Sequence, residues 1–135
     1  MVKSILNKIG RRGATAVAAV ALAAGGVGLS AGDASAVGWD TLGWHPTGHV
    51  VSVYAQPTTK SMKITGDLYS YPGSQDAVDE VCWTLGENIN SQGNVWYRVA
   101  GVYSGTYGYW YGTGYVYGPY VDGLFASHQG GLASC

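Results

Sequence analysis

Ala77-Val78-Asp79-Glu80-Val81-Cys82-Trp83-Thr84-Leu85 is the stretch whose reading decides the fold. Val81, Trp83 and Leu85 recur at period two, with Glu80, Cys82 and Thr84 between them. That alternation predicts a strand that turns Val81, Trp83 and Leu85 toward a core. Punctuation bounds it on both sides: Tyr71 to Gln75 (YPGSQ) reads as a turn, and Gly86 to Asn94 (GENINSQGN) as a polar loop.

Working outward, Val95 to Tyr103 (VWYRVAGVY) is a second strand, and Ser104 to Thr113 a Gly/Tyr loop. Gly114 to Val121 (GYVYGPYV) is a strand ending in a tight turn. Upstream, His49 to Ala55 is a strand ending at Pro57, and Met62 to Ser70 (MKITGDLYS) a short strand or bent loop. Val37 to Gly48 reads as an extended arm tied down by Trp39 or Trp44, and Leu124 to Cys135 as a tail returning to the body through its last residue. The tyrosines from Tyr103 to Tyr120 are too irregularly spaced for a repeat, and Tyr favours strands, so an ordered hairpin region is expected there. Beyond the N-terminal segment no stretch holds a helical period. Short strands with turn signals between them predict an all-β domain, a small antiparallel barrel or sandwich. Its expected core is Val51, Val53, Ile64, Leu68, Val81, Trp83, Leu85, Val99, Val116 and Val121.

Residues 1–36 read as a secretory signal peptide. Lys3, Lys8, Arg11 and Arg12 form a basic head, an Ala/Val/Leu run follows from Ala14 to about Leu29, and Ala34-Ser35-Ala36 is an A-x-A cleavage pattern. Gly25, Gly26 and Gly28 make the run a poor membrane span. Roughly 100 residues follow, one domain's worth. Export implies a secreted protein, extracellular or associated with the cell wall, in a compartment where disulfides persist. Cys82 and Cys135 allow one intramolecular bridge; two free thiols, or an intermolecular bridge through Cys135, are the alternatives.

Beyond residue 36 only Lys60, Lys63 and Arg98 are basic, against Asp40, Asp67, Asp76, Asp79, Glu80, Glu87 and Asp122. The acidic balance argues against nucleic acid as a partner and against charge-driven binding of anionic lipid or anionic wall polymers. All 5 Trp, all 11 Tyr and Phe125 lie in this part, so its surface interacts through rings and hydroxyls.

Two segments are similar to the core of a bacterial SH3-like (SH3b) domain. Gly93 to Val99 (GNVWYRV) resembles the family's Gly-x-Trp-aromatic-x-Val strand, and Gly114 to Val121 its closing strand, which runs into a 3₁₀ turn. Val51 to Thr59 (VSVYAQPTT) and Ala77 to Glu87 (AVDEVCWTLGE) stand where the family has its earlier strands, so the resemblance covers roughly residues 50–123. A Cys in a VCW strand and a Cys at the end of the chain resemble a subset of small secreted members. Two features depart from the pattern: no Arg-x-Gly-Pro closes the first strand, and the segment from Val99 to Gly114 is long.

The resemblance implies an SH3-like barrel of about five antiparallel strands over 50–123, which leaves an N-terminal arm over 37–49 and a disulfide-closed tail over 124–135. It also implies an aromatic groove at Trp96, Tyr117, Pro119 and Tyr120, joined by Tyr54 from the first strand and by Trp110 and Tyr111 from the long loop. The implied activity is non-catalytic binding of cell-wall peptide or glycan. A protein–protein module, such as an enzyme inhibitor or effector acting through the Tyr-rich loop, is the alternative.

Other chemistry is weaker. His45 and His49 are four apart, but Pro46 and Gly48 exclude the helix that would align them, so no metal site and no cofactor is expected. Asp76, Asp79 and Glu80 read as a solvated strand entry rather than a catalytic carboxylate pair. His128 beside Ser127 reads as a solvated tail residue, and a small hydrolase built from Asp76 or Glu80 with His128 is the least favoured function.

Overall fold

A computed structural model describes residues 38–135, so the expected signal peptide lies outside the described residues. Six strands form: β1 (Gly38–Thr41), β2 (His49–Val51), β3 (Leu68–Ser70), β4 (Ala77–Leu85), β5 (Val95–Ser104) and β6 (Gly108–Tyr117). Two four-residue helical turns follow, α1 (Gly118–Val121) and α2 (Phe125–His128). The protein is all-β. Strands β1-β4-β5-β6 make one antiparallel sheet and β2-β3 a second. Tyr54 links the sheets, exchanging backbone hydrogen bonds with Tyr115 of β6 at 2.9 and 2.8 Å.

Strand β4 keeps the expected bounds, but its faces are inverted. Val78, Glu80 and Cys82 are buried, Val81 and Trp83 half-buried, and Leu85 exposed. Burial keeps period two from Val78 through Cys82, so only the phase differs from the expectation; β4 also pairs irregularly with β5 on either side of Glu80. The buried core is Leu42, Val51, Val53, Leu68, Val78, Tyr97, Val99, Val102, Val116, Val121, Ala126 and Leu132, with Ile64 and Trp83 packed at its edge.

The expected loop from Ser104 to Thr113 is instead the turn and first half of a ten-residue strand. β5 and β6 pair from Trp96↔Tyr117 to Ser104↔Gly108, and Gly108 takes the positive φ (82°) that closes so short a turn. Gly108, Gly112 and Gly114 make apolar counting read a loop here, although β6 carries rings at Tyr109, Trp110, Tyr111, Tyr115 and Tyr117. The expected 3₁₀ turn after Tyr117 is the α-helical turn α1, with Pro119 in its first positions, where a missing N–H costs nothing. Trp44 is largely exposed, and the N-terminal arm is held by β1 pairing with the first half of β4.

The second half of β4 is taken by the tail. Trp83 N–H donates to Ala133 O (2.9 Å) and Cys135 N–H donates to Trp83 O (2.7 Å). Cys82 and Cys135 are joined by a disulfide. One strand edge is thus shared by residues from the two ends of the described chain.

Tyr97 anchors the turn between α1 and α2. Its hydroxyl donates to Asp122 Oδ1 at 2.8 Å, while Asp122 accepts from Phe125 N–H (3.1 Å) and Ala126 N–H (2.7 Å). Tyr97→Phe removes a buried donor to a carboxylate, and the expected loss is about 1.5–3 kcal/mol. Urea unfolding of the two proteins measures it, and equal midpoints would show that the bond adds no net stability.

Candidate functional site

A shallow cleft of about 110 Å3 lies where the Tyr54 segment, the β4–β5 loop and the end of β6 meet. Val50, Tyr54, Ile89, Tyr117 and Tyr120 line it, with Thr59 at its rim. Tyr117 is held by its hydroxyl, which donates to Gly93 O (2.6 Å) and accepts from Ile89 N–H (3.3 Å), tying the ring to the β4–β5 loop. Tyr120 stacks on His49 (centroids 4.0 Å, 14°), lies edge-on to Tyr117, and accepts at its hydroxyl from Asn90 Nδ2 (2.9 Å). The opposite rim is stapled by Glu87. Its carboxylate accepts from the Thr58 hydroxyl and from both the hydroxyl and the N–H of Thr59, and these bonds from Thr59 hold its pKa below the usual carboxylate range.

Trp96 is 0% exposed: it is the floor beneath this cleft rather than its wall. Its ring lies against Tyr54 (5.9 Å) and Tyr117 (5.3 Å), and Nε1 donates to Glu87 O at 2.9 Å. Pro119 is buried in α1. Of the expected groove residues, then, Tyr54, Tyr117 and Tyr120 surround one cleft, with Trp96 supporting two of their rings.

Trp110 and Tyr111 stand apart, toward the other end of β6. Trp110 packs on the core. Tyr111 (70% exposed) stacks parallel to Tyr109 (63% exposed) at 5.9 Å, two positions along the same strand face. Trp39 of β1 sets its edge against both, at 5.6 and 6.2 Å. This aromatic ladder joins residues far apart in sequence, and no local signal marks Trp39 as its third member.

Of the three acids expected at a solvated strand entry, Asp76 and Glu80 are buried and Asp79 is half-buried. Asp76 is buried and organises turns, accepting from Tyr69 N–H and Gly105 N–H, both at 2.9 Å. Glu80 is 0% exposed and faces Asp40 and Asp122. Burial, with Asp122 and Asp40 adding like charge, pushes the Glu80 carboxyl up to about 9. Burial first, and neighbouring Asp122 second, raises Asp40; burial also raises Asp122, against the lowering effect of its hydrogen bonds. His45 stacks on Phe125 (4.1 Å), so the two histidines face different rings. His128 is exposed at the end of α2, whereas Glu80 has no solvent access through which to touch a substrate.

Comparison with protein-family models, with curated proteins and with solved structures finds no match to this chain.

Proposed function

We propose that the protein is a secreted, non-catalytic binding module of SH3-like type, which takes an extended ligand across the Tyr54/Tyr117/Tyr120 cleft. The observation that carries this reading is the convergence of those three rings from two separate segments, each braced from below or behind. At about 110 Å3 the cleft is well under the ~300–1,000 Å3 of sites that engulf a small molecule. It suits one side chain or one sugar face of a longer ligand, docked on rigid rings with little entropy to lose. Bacterial cell-wall peptide or glycan is the proposed ligand class, from the resemblance of Gly93–Val99 and Gly114–Val121 to the SH3b core. The disulfide fits the oxidising surroundings that this placement requires.

Co-sedimentation with purified, protein-free bacterial cell wall tests the reading. The oxidised chain is expected to pellet with wall, and Tyr54→Ala/Tyr120→Ala to stay in the supernatant while keeping its cooperative melt. Trp96→Ala is the wrong probe, because removing a buried floor disturbs folding. No co-sedimentation of the parent protein would sink the wall assignment.

The ladder of Trp39, Tyr109 and Tyr111 favours a second reading, docking on an extracellular protein. Exposed, mutually braced rings are what protein contact surfaces enrich. Under that reading Tyr109→Ala/Tyr111→Ala abolishes partner capture and Tyr54→Ala/Tyr120→Ala does not.

A further inference from the structure

Glu80 poses a problem that the cleft does not address. Both its carboxylate oxygens are sealed from solvent and have no hydrogen-bond partner among the described residues. Such groups are rare in folded proteins, and an ion or water is the usual resolution. The carboxylate points where Asp40 of β1 and Asp122, just after α1, also deliver one oxygen each, all within 4.8 Å of one another. Water could satisfy lone pairs there, but only a bound cation would let all three carboxylates ionise together. Ligands on opposite sides of a calcium ion, each at about 2.3–2.6 Å, sit up to roughly 5 Å apart, and the three oxygens here fall within that span.

We infer that Asp40, Glu80 and Asp122 form a site for a hard divalent cation of the calcium class. The donor set is all oxygen, which selects calcium or magnesium over the softer transition metals. The three carboxylates come from β1, β4 and the turn after α1, so their geometry is set by packing rather than by one rigid loop. Calcium accepts such irregular spheres, whereas magnesium demands a near-ideal octahedron. Asp40 is half-buried and supplies the side from which ion and water enter. The Tyr97 hydroxyl and the N–H groups of Phe125 and Ala126 hold Asp122 from behind, as outer partners hold metal ligands. The ion would tie β1 to β4 and to the turn before α2. No residue of the cleft belongs to this site, so the inference stands independently of the binding function.

The test uses the full oxidised chain, stripped with chelator, and titrated with CaCl2 to about 10 mM, past the weak end of extracellular calcium modules. Isothermal calorimetry and the melting temperature are read together, with MgCl2 and ionic-strength-matched NaCl in parallel. Saturable calcium binding with a rising melting temperature is expected. Glu80→Gln and Asp40→Asn should each weaken it about tenfold or more, since even outer partners of metal ligands cost that much. Both variants keep side-chain shape, and a cooperative melt in EDTA separates lost binding from lost folding. Absence of saturable binding by 10 mM, or binding unchanged in both variants, overturns the site. A magnesium response equal to that of calcium overturns the calcium assignment.

Discussion

Reducing the Cys82–Cys135 disulfide is expected to lower the melting temperature by roughly 15–30 °C. The bridge spans 53 residues of sequence. In the chain-entropy model a loop of that length restricts the unfolded ensemble by about 4 kcal/mol. Domains of this size have only about 5–15 kcal/mol in total, and each kcal/mol moves the midpoint by about 4–8 °C. The native side adds to the effect. The tail that the bridge retains carries Leu132 into the core and supplies both backbone hydrogen bonds to Trp83. Once Cys135 is released, the second half of β4 loses its only lateral partner opposite β5 among the described residues. Melts with and without reductant, beside Cys82→Ser/Cys135→Ser, measure this. A shift of only a few degrees would mean that Leu132 and the Trp83 pairing hold the tail alone, and that loop closure contributes little.

The limits of sequence reading show in where the expectations met the structure. Strand β4 is legible from Ala77 to Leu85 because turn residues punctuate both ends, and period-two alternation survives locally. Its inward face is not legible. Hydrophobicity votes for Val81, Trp83 and Leu85, but Val78, Glu80 and Cys82 are the residues buried, with Cys82 bonded to the tail that lies along Trp83. A glutamate with no exposed surface contradicts every composition rule, and what it faces comes from residues 40 positions upstream and 42 downstream. The cleft was half legible. Tyr117 and Tyr120 are marked by the strand-to-turn pattern of Gly114 to Val121, while Val50, Thr59 and Ile89 reach it from segments that carry no sequence signal of contact. The first half of β6 reads as a loop because Gly108, Gly112 and Gly114 dilute its rings. Pairing with β5 overrides that local composition.

Glu80→Gln is expected to stabilise the cation-free protein at pH 7 by about 3 kcal/mol while leaving its stability near pH 4 unchanged. The groups facing Glu80 are Asp40, Asp122 and the Tyr97 hydroxyl, whose own pKa burial and Asp122 raise. In the fold the Glu80 carboxyl titrates at about 9, against 4.5 for an ordinary glutamate. The folded state therefore keeps a proton that the unfolded state gives up. Below pH 4.5 both states are protonated, and the residue contributes no penalty. Between pH 4.5 and 9 stability falls by about 1.4 kcal/mol per pH unit, because unfolding releases the proton. Above 9 both states are ionised and the decline stops. Glutamine keeps the shape and the neutral form at every pH, so the variant lacks this slope, and the gap at pH 7 is the accumulated difference. Urea midpoints of both proteins in EDTA, taken from pH 4 to pH 8, read it directly. Parallel curves would mean that Glu80 is solvated or paired in the native state, and that its burial among two aspartates does not set the pH dependence of the fold.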